Sequence, residues 1–438
     1  MIDTSKESGT GRVMDFIDRF FTSEMVEHFF FSVVCATAFT AGLCHWLLDL
    51  SYQFLPTMVD TLHVNFTWVF WVSAVATIYY LIRDYAIPGR VVQFDFALAI
   101  LIQTLVLAAV LDYHNEQYAT IPYTWILPMG YILGKMVAST DKNKADNRIE
   151  IVYFVIAFSI FAVMMLDFKV ACEYYGDYKD SWGVWPGFWT GEGQNRCTME
   201  MGAVLVMSAI GYTSLHIKKS KKMWAAIIIA TFGCIVFFYK TTGRGVLMML
   251  AVASFTFICM ILADRWKTVP KWVKLTLLGV VIFVIVCFLL FSIALHFNLF
   301  GLYDIYTKSY WSRDGGIIRN VRFSMDWNGF VSMLQYPLDN YELRAGLARP
   351  HSMMLEYGRV YGVTVYIGLV IFRIITIVYA VHMALQKKSD IKYLLVPAFV
   401  CINLYYSMEP NGHALRYLWL VGLFLSGMIR GWLECDRM

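Results

Sequence analysis

Charge is scarce in this chain. Asp, Glu, Lys and Arg make up only 16% of its 438 residues, hydrophobic residues make up 59%, and the mean hydropathy is +0.57. Soluble domains carry about one quarter charged residues. A soluble enzyme and a basic nucleic-acid-binding domain are both excluded by this balance, which leaves a polytopic membrane protein. The net charge of +4 carries less information than where the charges lie.

Other absences narrow the class further. The chain shows no nucleotide-binding motif, internal repeat, low-complexity tract or soluble domain. The two loops expected outside the cytoplasm, 169–197 and 298–360, lack the close Asp-x-Asp pair that would position a divalent metal, so metal-independent chemistry with no cofactor is expected. The first 27 residues mix both signs of charge and lack a short apolar core with a small-residue cleavage site. They read as a cytoplasmic amphipathic lead-in rather than a cleavable signal.

Of nine cysteines, Cys35, Cys44, Cys234, Cys259, Cys287 and Cys401 fall in apolar spans, where they act as small hydrophobes. Cys435 falls on the cytoplasmic side. Only Cys172 and Cys197 share one external loop, where an oxidised pair is chemically permitted.

What is present in abundance is long apolar runs. A crossing needs roughly 20 mainly apolar residues, and twelve candidates run at about 28–49, 65–82, 93–112, 121–139, 150–168, 198–216, 224–240, 245–263, 275–297, 361–383, 393–409 and 414–431. Backbone groups in lipid must be satisfied internally, so the expected fold is all-α, a single integral domain with about twelve transmembrane helices. Placing both termini in the cytoplasm makes every inner loop basic, from Arg83/Arg90 to Lys387/Lys388/Lys392, while loops 50–64 and 113–120 carry no Lys or Arg.

Loop 298–360, between the ninth and tenth spans, breaks that rule. It carries Lys308, Arg313, Arg319, Arg322, Arg344, Arg349 and Arg359 together with His351. Amphipathic helices are expected around Arg319, Arg322 and Trp327 and again after Pro350, where His351, Leu355 and Arg359 share a face. They either cap the bundle with solvated or paired charges, or assemble a cationic site. A second basic feature is FFYKTTGRGVLMML, which places Lys240 and Arg244 in a short external hairpin, with Gly243 and Gly245 on either side of the arginine. An arginine snorkelling to lipid headgroups is the plain alternative there.

Residues 200–385 resemble the O-antigen ligase and polysaccharide polymerase superfamily, membrane glycosyltransferases that act on undecaprenyl-diphosphate-linked glycans. The resemblance rests on the arginine-glycine hairpin (Arg244, Gly245), the following external loop, and a histidine followed by Ser and, ten positions later, Gly (His351, Ser352, Gly362). Val365 stands where the ligase pattern has Gly, Thr or Tyr, which tilts the reading to polymerase.

The resemblance implies an inverting transfer in which His351 is the general base. Arg244, with Arg319, Arg322, Arg349 and Lys240, would neutralise the departing diphosphate. Trp327 and Trp185 are candidates for stacking on sugar rings, against the interfacial role that Trp and Tyr commonly play. It implies a bacterial cytoplasmic (inner) membrane location, an external active site, the lipid-linked oligosaccharide and the bilayer as partners, and a chain-length regulator as a possible further one. A ligase acting on a lipid A-core or protein acceptor and a lipid-glycan flippase are the alternatives. Arg373 and Asp95 are the intramembrane charges that a transporter would use.

Overall fold

A computed structural model describes residues 15–16, 19–21, 23–43, 67–86, 95–114, 123–138, 142–176, 184–186, 193–241, 244–267, 270–271, 274, 286–287, 289–290, 293–294, 297, 299, 321–337, 350, 352–387, 389–407 and 416–435. The chain is overwhelmingly helical. In order come α1 (Glu24–Leu43), α2 (Thr67–Ala86), α3 (Phe96–His114), α4 (Tyr123–Ala138), α5 (Lys142–Tyr175), a two-stranded hairpin of β1 (Val184–Pro186) and β2 (Gly193–Asn195), then α6 (Arg196–Leu215), α7 (Lys221–Thr241) and α8 (Arg244–Asp264). After them come α9 (Val321–Gln335), α10 (Met353–Tyr361), α11 (Val363–Leu385), α12 (Lys392–Tyr406) and α13 (Arg416–Cys435).

Each expected span except 275–297, most of which lies outside the described residues, coincides with a helix. Among the described residues, four helices are long and apolar enough to cross a membrane: Lys144–Tyr175, Lys221–Thr241, Gly245–Asp264 and Val363–Leu385. Shorter apolar helices such as Phe96–Leu111 and Gly202–Leu215 accompany them. Helix α5, with 34 residues, is about 50 Å long at 1.5 Å per residue, so it outreaches a hydrocarbon core of about 30 Å.

Helices α4 and α13 meet through glycines. Gly130 and Gly134 stand four apart on α4, as do Gly427 and Gly431 on α13. A Cβ at Gly134 would collide with the backbone of Phe424, one at Gly427 with the carbonyl of Tyr131, and one at Gly431 with the carbonyl of Lys135. Small residues at this spacing let helix backbones touch where lipid supplies no hydrophobic drive between helices.

The same seam holds a buried ionic cluster. Lys135 lies 3.2 Å from Asp95 and 3.1 Å from Glu434, Arg430 lies 2.9 Å from Glu434, and the Tyr131 hydroxyl donates to Asp95 at 3.2 Å. Two cations face two carboxylates, so Asp95 is neutralised inside the bundle.

The helix ends sort into two groups. Lys392, opening α12, pairs with Asp264 at the end of α8 at 2.5 Å and also donates to the Gln386 carbonyl just beyond α11. The last residues of α8 and α11 therefore share one end of the bundle. Arg244 and Val363, which open these two helices, lie toward the other end.

Candidate functional site

Helix α7 ends at Thr241 and α8 begins at Arg244, its first helical residue. Thr241 closes α7 by donating its hydroxyl to the Phe237 carbonyl at 2.8 Å, and Lys240 is half-buried in the last turn. Glycine at 245 has a spatial cause. An added Cβ would collide with a carboxylate oxygen of Glu200 on α6 and come within 2.9 Å of its Cδ. Glu200 is buried, and so is Asp167 on neighbouring α5. The position where Gly202 would carry a Cβ lies 2.7 Å from Met164, which aligns the carboxylate-bearing turns of α5 and α6. Arg244 thus begins its helix one residue from a buried carboxylate, where its backbone is held by packing rather than by a loose loop. This is the kind of support a fixed cation requires.

The second limb is built by α9 and α10. Gly329 on α9 abuts Pro350, whose Cβ would be 3.1 Å from a Cβ added to the glycine, and Val363 N–H donates to the Pro337 carbonyl at 3.3 Å. Gly358 on α10 similarly receives Met333 of α9 and Tyr366 of α11. These contacts carry the chain through Pro350 against α9.

Helix α10 departs from the expectation of a surface cap. Met353, Met354, Glu356, Tyr357, Gly358, Arg359, Val360 and Tyr361 are all buried. Tyr357 stacks on Trp419 of α13 with centroids 4.7 Å apart. The charges that make its sequence look amphipathic cancel in place, because Arg359 donates from Nε and Nη2 to the two carboxylate oxygens of Glu356 at 3.0 and 2.9 Å. Arg359 is therefore spoken for. The helix begins at Met353 with Ser352 in the N-cap position, slightly later than the reading from Pro350.

The predicted site residues divide accordingly. Arg244 and Arg322 have their backbones in α8 and α9, and Trp185 lies in β1, but their side chains are outside the described residues, as are His351, Arg319 and Arg349 altogether. The proposed Cys172–Cys197 pairing also falls there, through the Cys197 side chain. Trp327 is placed: it is 58% exposed and tilted against Phe330 at 6.0 Å. What the structure brings together is the flank of His351 with the helix of Arg322, while Arg244 opens α8 at the bundle end where α10 joins α11.

Two buried acids were not singled out at the site from sequence, Glu200 and Asp167, whereas Glu356 was an expected partner for the loop arginines. Glu200 had a signal, since an acid inside the apolar span 198–216 is costly in lipid and marks a packed or functional position. Its contact with Gly245, by contrast, depends on tertiary packing.

Comparison with protein-family models, with curated proteins and with solved structures finds no match to this chain.

Proposed function

We propose that the chain is a metal-independent membrane glycosyltransferase, a polysaccharide polymerase that transfers a glycan from an undecaprenyl-diphosphate donor to a sugar hydroxyl of another lipid-linked repeat. The reading places it in a bacterial cytoplasmic membrane with about twelve spans, both termini cytoplasmic and the active site external. The observation that carries it is the seat of Arg244, which opens α8 against the buried Glu200 carboxylate at Gly245. That packing fixes the backbone from which the Arg244 side chain departs, and a leaving diphosphate calls for a cation carried on a fixed support.

In this mechanism the acceptor hydroxyl oxygen attacks the anomeric carbon and the bond from that carbon to the diphosphate oxygen breaks. The electron pair leaves with the diphosphate, and His351 takes the hydroxyl proton. Negative charge grows on the leaving group as the bond breaks, so Arg244, with Arg319, Arg322, Arg349 and Lys240, stabilises the transition state more than the bound substrate.

The test is elongation by the purified protein supplied with lipid-linked repeats alone. Chain growth is expected, and Arg244→Ala is expected to slow it about 100-fold or more without lowering the unfolding temperature. Growth only on addition of a lipid-core or protein acceptor would make the protein a ligase.

A transporter is the second reading. Arg373, near the middle of α11, has no acidic partner among the described residues, and mid-span charge is a transporter feature. The neutralised Asp95 weighs on the other side. Retained glycan synthesis with lost lipid-glycan transport in Arg244→Ala and His351→Ala would favour the transporter.

A further inference from the structure

Arg373 and the space beside it stand apart from the proposed transferase site. Its guanidinium donates from Nη2 to the Asn403 carbonyl and to the Ser407 hydroxyl, each at 2.7 Å, and Nη1 lies 3.8 Å from the Met354 sulfur. Those oxygens belong to the C-terminal end of α12, where a cation is favoured by the helix carbonyls. A guanidinium has five N–H donors, so Nε–H and the Nη1 edge have no oxygen partner among the described residues. Among the described residues, no carboxylate balances the charge.

A cavity of about 30 Å3 adjoins Arg373, lined also by Leu101, Leu369, Phe372, Thr376 and Trp419. The space is enough for roughly two waters, the size of a small inorganic anion rather than of a whole diphosphate. Much of its wall is apolar, and the hydroxyl protons of two polar lining residues are committed, Thr376 to the Arg373 carbonyl at 3.0 Å and Ser426 to the Gly422 carbonyl at 2.7 Å. Both hydroxyl oxygens still accept, so the pocket offers a water partners as well, and it is the positive charge of Arg373 that favours an anion there. A weakly hydrated monovalent anion needs chiefly the free donors and the positive charge.

We propose that this cavity is a binding site for a small monovalent anion of the halide class, held by those donors of half-buried Arg373 that have no oxygen partner among the described residues. The proposal does not rest on the transferase reading: the pocket adjoins α10 through Met354 but includes neither Arg244 nor His351.

Radiolabelled chloride binding to the full chain in nanodiscs of zwitterionic lipid tests it. Saturable binding of one chloride per chain is expected, weakened at least tenfold in Arg373→Gln. Thr376→Leu keeps the guanidinium and its bonds to Asn403 and Ser407 but fills the cavity, and it is expected to lose binding to the same degree, so the test stands even if Arg373→Gln does not fold. Absence of saturable chloride binding in the wild type, or equal binding in wild type and Thr376→Leu, would overturn the proposal. So would displacement of the site's occupant only by phosphatidylglycerol and never by bromide, which would assign the cavity to a lipid phosphate.

Discussion

The α4–α13 seam, where charge is buried, and the half-buried Arg373 pocket treat charge in opposite ways. At the seam, Lys135 and Arg430 meet Asp95 and Glu434 within 3.2 Å for three of their contacts, and Arg430 approaches Asp95 at 3.8 Å. At the pocket, the guanidinium meets a carbonyl and a hydroxyl from the end of α12 and the Met354 sulfur, with no carboxylate among the described residues. A neutral cluster locks helices together and asks for nothing else. A charge balanced only by dipoles retains an unfilled capacity for an anion. Charge in this bundle is therefore informative where its partners are incomplete, since an ion pair alone is weak evidence of either stability or function.

The contrast can be broken most severely at Lys135. Lys135→Met leaves Asp95 and Glu434 with less cation between them, and removal of one partner from a buried pair costs about 3–5 kcal/mol. A large fall in the thermal unfolding midpoint is expected, partly restored by adding Asp95→Asn. If the single variant unfolds no earlier than wild type, the seam is not the lock described.

Ser407→Ala sharpens the other side. It takes away one of the two oxygens on Arg373, and a hydrogen bond to a charged group contributes about 1.5–3 kcal/mol. A moderate loss of stability is expected, smaller than at Lys135, and addition of chloride should recover part of it in the same unfolding experiment. The smallest effect belongs to Trp327→Ala. A largely exposed ring on α9 should change stability by no more than about 0.5 kcal/mol, so any large fall in elongation by that variant would point to sugar contact instead of folding.

Helix positions were readable in the sequence because a run of apolar residues long enough to cross a bilayer has few other uses. The 393–409 and 414–431 runs match α12 and α13 closely. The burial of α10 was not readable. Its segment, MMLEYGRVY, sets Glu356 and Arg359 three apart among apolar residues as an amphipathic surface helix does, and the Glu356–Arg359 contact reveals that the two charges meet each other.

The seam had a visible signature, GYILG in one span and GMIRG in another, but nothing in the sequence said that those two spans are neighbours. At the site, the hairpin that presents Arg244 was evident from its glycines. The acid behind Gly245 belongs to a different helix, and local spacing cannot announce it.

The glycine seam also has a consequence for biogenesis. Its two halves are separated by on the order of 300 residues of synthesis, which at 5–20 residues per second is roughly 15–60 s. Throughout that interval the notched face of α4 and the lysine upon it have emerged from the ribosome without the helix that covers them. Something in the insertion machinery or the neighbouring lipid must occupy that groove until α13 arrives, so a helix made late closes over one made early.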